Sequence, residues 1–115
     1  MKFAQTRIAP TPSGFLHLGN AYSFLLTKAL AEKHGAKILL RIDDLDRERY
    51  RQEYVQDILD TLDFLEIQIH QGPSSVAEFE SHWTQQERMP LYQAALEQLQ
   101  FSRLLFSCTC TKSQI

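Results

Sequence analysis

Arg7 to Asn20 reads R-I-A-P-T-P-S-G-F-L-H-L-G-N, and the order of residue types in it sets the fold. The apolar-rich segment Lys2 to Ile8 predicts a strand, Pro10 to Gly14 a turn, and Leu18 the start of a helix. That order brings backbone N–H groups and His17 to a helix N-terminus. Such a terminus carries partial positive charge and unpaired N–H donors, so it suits a phosphate. His17 is placed to bind a phosphate oxygen, while Gly14 and Gly19 leave room for a nucleotide to approach closely. Arg7 ends the strand with a guanidinium suited to a bidentate pair with a carboxylate. The Asn20 amide either donates to phosphate or ribose or caps the helix.

Working outward, Leu18 to Lys33 places Leu18, Ala21, Leu25, Leu26, Ala29 and Leu30 on one helical face, and Gly35 ends the helix. Ile38 to Ile42 then reads as a buried strand. Strand, helix and strand in series imply a right-handed crossover and a parallel sheet, with ligands beyond the strands' carboxyl ends. His17 and Asp43 both fall at such ends. Val55, Ile58, Leu59, Leu62 and Leu65 repeat with helical spacing, predicting a second amphipathic helix over Gln52 to Glu66. Gly72 and Pro73 break the chain beyond that helix, and Ser74 to Trp83 carries no clear period. Pro90 suits the first turn of a further helix with Leu91, Ala95 and Leu99 on its apolar face, before a short strand near Leu104 to Phe106.

The 115 residues are 43% hydrophobic and 23% charged, the composition of one globular unit with a modest core. A net charge of -2 gives no general basic footprint for nucleic acid, so any RNA contact is local or lies outside this chain. No apolar run of membrane-spanning length and no signal-peptide pattern at Met1 to Pro10 occurs, which makes the cytoplasm the default and a membrane partner unexpected. Cys108 and Cys110 stand too close in sequence for a structural disulfide, consistent with a reducing compartment. No repeat, linker or low-complexity tract divides the chain.

The run P-T-P-S-G-x-L-H-L-G-N resembles the first signature of class I aminoacyl-tRNA synthetases, in the form found in the glutamyl and glutaminyl enzymes. Three further segments resemble the same family in the same order: L-R-I-D-D-L-D-R-E-R over Leu40 to Arg49, Q-Q-E-R-M-P-L-Y over Gln85 to Tyr92, and F-S-C-T-C-T-K over Phe106 to Lys112. Together they span almost the whole chain. The resemblance implies an α/β fold, the first half of a Rossmann-like (HUP-type) nucleotide-binding fold with a parallel sheet and flanking helices. It also implies an ATP-dependent ligase that activates L-glutamate with magnesium and passes it to tRNA.

Residue by residue, the resemblance makes His17 and Asn20 catalytic, with His17 stabilising charge on the α-phosphate as a carboxylate attacks and pyrophosphate leaves. Asn20 stands where the class signature has a second histidine. Pro10, Gly14, His17, Gly19 and Asn20 are implied in ATP binding. Arg7, Ala9, Thr11 and Asp43 are implied in amino-acid binding, with Asp43 opposite the substrate ammonium. The glutamate enzymes usually carry a glutamate at that position and the glutaminyl branch an aspartate, so the substrate stays open between the two. Asp46 and Arg49 match the glutamate pattern. Leu45 and the C-T-C-T run lean toward the short relatives that attach glutamate to a queuosine base in tRNA(Asp). Asp44, Asp46, Arg47 and Arg49 read as local ion pairs and helix capping rather than as a second catalytic cluster.

Cys108 and Cys110 would form half of a zinc site, since tetrahedral Zn2+ needs four ligands and relatives place the second pair further along. The family's second signature, a lysine-rich loop that grips the triphosphate, is not in this sequence. That predicts an N-terminal part of a catalytic domain with little activity alone. Two other readings stay open: a non-catalytic paralogue that binds amino acid, nucleotide or a partner protein, and a small-molecule nucleotidyltransferase of related fold. The oligomeric state is not encoded in any pattern found.

Overall fold

The computed structural model describes residues 3–115, so Lys2, at the start of the expected first strand, lies outside the described residues. Strand β1 is Gln5–Ile8 and strand β2 is Lys37–Leu40, joined by helix α1, Leu18–His34. They pair in parallel with Gln5 opposite Lys37 and Ile8 opposite Leu40. Pairing continues beyond the strand ends: the Arg41 N–H donates to the Ile8 carbonyl and the Asp43 N–H to the Pro10 carbonyl, both at 2.9 Å. The turn after β1 is thereby fixed to the segment after β2.

Helix α1 ends as the sequence predicts, with Gly35 left-handed at φ 66 and the Ala36 N–H bonded back to the Ala31 carbonyl at 2.8 Å. Its packed face differs from the expected one. Phe24 and Ala31 are buried, whereas Leu18 is 86% exposed and Leu25, Leu26 and Leu30 face outward as well. Apolar residues also occupy the face of Phe24 and Ala31, opposite part of the leucine face, so counting leucines does not locate the buried stripe. The small Ala31, one helical repeat from Phe24, sits on the sheet side instead.

One sheet face presents Ile8, Ile38, Leu40 and Ile42 to a core completed by Phe24, Ala31, Val55, Ile58, Leu62, Ile67 and Phe79. Helix α2, Gln52–Phe64, contributes Val55, Ile58 and Leu62, the positions its periodicity predicts, with Leu59 and Leu65 partly buried. The chain then returns along β2, where the His70 N–H reaches the Ile38 carbonyl and the Leu40 N–H the Gln71 carbonyl. Gly72 closes this return at φ 139, where a Cβ would lie 2.7 Å from the Leu40 carbonyl oxygen, so no other residue fits.

Ser74 to Trp83 turns out to be helical in short pieces. Ser75 caps helix α3, Val76–Glu78, by accepting from the Glu78 N–H, and α3 runs into a π-turn over Phe79–Trp83 that buries Phe79. A 3-10 turn over Gln85–Arg88 leads into helix α4, Met89–Phe101, with Pro90 in its first turn as expected. No residue of α4 is buried, and the Leu91, Ala95 and Leu99 face stands exposed. The strand expected near Leu104 to Phe106 does not form. A strand needs a neighbour for its ladder, and among the described residues these side chains stand exposed with no strand beside them.

Candidate active site

The loop after β1 is held from three sides. Pro10 and Pro12 are buried beneath it, Asp43 is tied to Pro10, and Asp57 of α2 accepts the Leu16 N–H at 2.8 Å. The loop therefore delivers His17 to the start of α1 in one orientation. There the Asn20 side-chain oxygen accepts the His17 N–H at 3.0 Å, and His17 Nδ1 accepts the Gly19 N–H at 3.1 Å, forming a reciprocal cap. Asn20 thus caps the helix through its oxygen and keeps its NH2 group as a donor.

With Nδ1 used as an acceptor, the neutral imidazole carries its proton on Nε2, which makes the outward side of the ring a hydrogen-bond donor. Gly19 has a specific steric reason. A Cβ there would come within 3.0 Å of the His17 ring, so the glycine makes room for the histidine. Gly14 faces open space, with nothing within 4 Å of a built Cβ.

Ala9, Pro10, Thr11, Gly14, His17 and Asn20 line one cavity of about 380 Å³ above the helix start. Six of the residues singled out in the sequence therefore come together. Arg7 does not line this cavity; it lies on a second one of about 190 Å³ together with Arg41 and Arg88. Asp43 lines neither, and its carboxylate accepts the Leu45 N–H at 3.4 Å and stands 3.9 Å from Arg41. Cys108 and Cys110 are exposed free thiols. Hydrogen bonds from the Cys110 backbone and side chain hold the Cys108 thiol below its ordinary pKa. Among the described residues no group of three or more metal-ligating side chains exists, so these two thiols by themselves fall short of a four-ligand zinc site.

Asp44 has a larger role than local pairing. It forms the expected ion pair with Arg47, at 2.7 Å, and Asp46 pairs with Arg49 at 3.7 Å. Yet Asp44 is fully buried, and its carboxylate also accepts from the Thr84 hydroxyl and, at 2.7 Å, from the Gln85 N–H. Nothing local announces this, because the partners stand about forty residues along and a buried aspartate and a capping aspartate look alike in sequence. Asp57 is hidden in the sequence for the same reason: it sits among the polar positions of an amphipathic helix. The only hint is an acid one place before the buried Ile58.

Residues 4–115 match the family "tRNA synthetases class I (E and Q), catalytic domain". A glutamate–tRNA ligase 2 from Nitrosococcus oceani is 36% identical over 111 residues, covering 96% of this chain and 23% of that protein. A glutamyl-Q tRNA(Asp) synthetase from Rhodobacter capsulatus is 40% identical over 110 residues, with 96% of this chain and 36% of that protein covered. The chain therefore spans between about a quarter and about a third of the length of these relatives. A crystal structure of a glutamate tRNA ligase from Elizabethkingia meningosepticum in complex with its amino acid superposes with a TM-score of 0.68 at 30% identity, over 84% of this chain and 19% of that one. The strand, crossover helix and strand seen here are thus part of the Rossmann-like α/β fold of those enzymes. The signature loop, its helix start and the match over nearly every residue place this chain in the class I tRNA synthetase family for glutamate and glutamine.

Proposed function

We propose that this chain forms the first part of a catalytic domain that activates L-glutamate with ATP and transfers it to tRNA. The observation that carries the reading is the capped His17, whose Nδ1 is committed to Gly19 and whose Nε2–H is left to the cavity beside the α1 N-terminus. A helix terminus with the His17 ring held in place by Gly19 and with the Asn20 amide suits a phosphate in transfer. In the reaction, a glutamate carboxylate oxygen bonds to the α-phosphorus and the bond to pyrophosphate breaks, giving glutamyl-adenylate. His17 donates from Nε2 to the α-phosphate oxygen that gains charge. Ala9 and Thr11 line the same cavity and in this reading contact the amino acid, with Asp43 taking its ammonium.

ATP fits this donor set. None of the six residues named on the cavity is acidic, so magnesium would arrive bound to the triphosphate, where it neutralises phosphate charge, rather than be held by this loop. Zn2+ would need two more ligands than Cys108 and Cys110 provide.

Calorimetric titration with a non-hydrolysable glutamyl-adenylate analogue tests the reading. Binding that is lost in His17→Ala and weakened in Asp43→Ala supports it. A folded wild-type chain without affinity for the analogue would count against it. A second acceptor, a queuosine-type base in tRNA(Asp), is favoured by the similarity to the glutamyl-Q synthetase, by Leu45 and by the C-T-C-T run. Charging assays on tRNA(Glu) and tRNA(Asp), using a protein that includes the lysine-rich loop, separate the two.

A further inference from the structure

One wall of the cavity beside His17 is built by Thr11, Ser13, Gly14, Phe15 and Leu16, and this wall has few ties of its own. Its near end follows Pro10, bonded to the Asp43 N–H. Pro12 has no N–H to donate, and among the described residues the backbone groups of Thr11 to Phe15 make no hydrogen bond. Two contacts hold the far end, and both come from one side of α2. The Asp57 carboxylate accepts the Leu16 N–H at 2.8 Å. The Tyr54 and Phe15 rings meet edge to face, with centroids 5.0 Å apart and planes at 85°. Phe15 is 65% exposed, so the Tyr54 ring rather than burial gives it a seat. Tyr54 and Asp57 stand three residues apart, both half-buried, beside the Val55, Ile58 and Leu62 stripe that fixes α2 to the core.

We infer that this Tyr54–Asp57 patch of α2 is a positioning element of the nucleotide site, setting the Thr11–Leu16 wall against the donors at the α1 N-terminus. The inference rests on the nucleotide part of the reading above and adds to it a helix that lines no part of the cavity among the described residues. The reciprocal cap orients His17 and Asn20 on α1, but it leaves the facing wall free. A tie from outside the signature has to set the width between wall and ring, and hydrogen bonds to a phosphate weaken steeply when that width is wrong. A negative charge near a phosphate opposes the ligand, so it is the acceptor oxygen of Asp57, not its charge, that serves the site.

The test titrates the wild-type chain, Asp57→Ala, Asp57→Asn and Tyr54→Leu with ATP and with the glutamyl-adenylate analogue, while NMR follows solvent exchange of the Leu16 amide and the His17 ring nitrogens. Circular dichroism checks that each variant is folded. Asp57→Ala should weaken both ligands roughly threefold to tenfold and Tyr54→Leu less. Asp57→Asn keeps an acceptor for the Leu16 N–H and should return affinity to within about twofold of wild type. Exchange of the Leu16 amide should quicken in Asp57→Ala and stay slow in Asp57→Asn. His70, whose Nδ1 accepts the Ile38 N–H on β2, is the internal control, and its ring signals should not move. Undiminished affinity in a folded Asp57→Ala overturns the inference and leaves the proposed function standing. An asparagine variant as weak as the alanine one overturns it as well, because charge and not the bond would then be at work. A wild type that binds ATP but not the glutamyl analogue, with the Asp57 pattern intact for ATP, sinks the glutamate reading and keeps this one. A folded wild type that binds neither ligand overturns both.

Discussion

Replacing Asp44 by alanine should be among the most damaging single changes outside the apolar core. The carboxylate is fully buried and serves three donors: the Arg47 guanidinium, the Thr84 hydroxyl and the Gln85 N–H. Arg47 is 47% exposed at its side chain and recovers water when released, so its loss costs little. Thr84 and Gln85 are 8% and 1% exposed and do not. Each buried donor left unpaired costs about 1–3 kcal/mol, giving about 2–6 kcal/mol for the pair, somewhat offset because a buried charge is also removed. A domain of this size has about 5–15 kcal/mol to lose, and a loss of 2 kcal/mol alone lowers Tm by roughly 8 °C. Asp44→Asn keeps an acceptor for the Gln85 N–H while turning an NH2 group toward Thr84 and Arg47, so it should cost about half as much. Urea denaturation followed by tryptophan fluorescence reads both, since Trp83 adjoins Thr84. An alanine variant within about 0.5 kcal/mol of wild type, or an asparagine variant equally damaged, would refute the view of Asp44 as a buried acceptor hub.

Three other expectations come from the same geometry. Asp57→Ala removes the acceptor of the Leu16 N–H; it should weaken binding of the adenylate analogue severalfold while costing only about 1 kcal/mol of stability, because the freed N–H is part-exposed. Equal affinity in the two proteins would show that the loop holds itself. Gly19→Ala pushes the His17 ring by contact at 3.0 Å and should reduce analogue binding about as much as His17→Ala does, without unfolding the chain; an unperturbed affinity would mean the ring moves freely aside. Glu80 accepts from the Tyr50 hydroxyl at 2.6 Å and from Gln52, and these bonds lower its pKa, while burial and the same bond raise that of Tyr50. A carboxylate whose folded pKa is depressed contributes stability above its unfolded value and loses it as pH falls through the folded value. Wild type should thus lose stability on acidification more steeply than Glu80→Gln, and parallel pH profiles would contradict the tie.

Local chemistry accounts for the parts that the sequence made readable. Gly35 stops α1 because a left-handed cap comes from one residue type, and α2 declares Val55, Ile58 and Leu62 because its opposite face is polar. His17 and Asn20 were legible for the same reason: their partners lie within three residues. The misplaced face of α1 shows the limit, since its leucines share one face while Phe24 and Ala31, on another, are the residues that pack. Leu104 to Phe106 shows another, because β-propensity has no effect without a neighbouring strand. Arg7 and Asp43 were correctly set near strand ends, but that Arg7 lines a cavity with Gln85 and Arg88 while Asp43 lines neither cavity depends on where the Gln85–Arg88 segment folds back. That placement is long-range.

The Thr84–Arg88 segment is held from two sides. Asp44 fixes Thr84 and the Gln85 backbone from one side, and Tyr92 of α4 donates its hydroxyl to the Gln85 side chain from the other. Gln85 also lines the cavity of about 190 Å³ shared by Arg7, Arg41 and Arg88. A displacement of the 3-10 turn at Gln85–Arg88 therefore moves a wall of that cavity while leaving the His17 loop, pinned by Asp57 and Pro10, where it is. Loosening the clamp through Asp44→Asn should accordingly lower the stability of the fold while leaving affinity for ATP level. Under conditions where the variant is demonstrably folded, a loss of ATP affinity would mean that the His17 loop depends on this clamp as well.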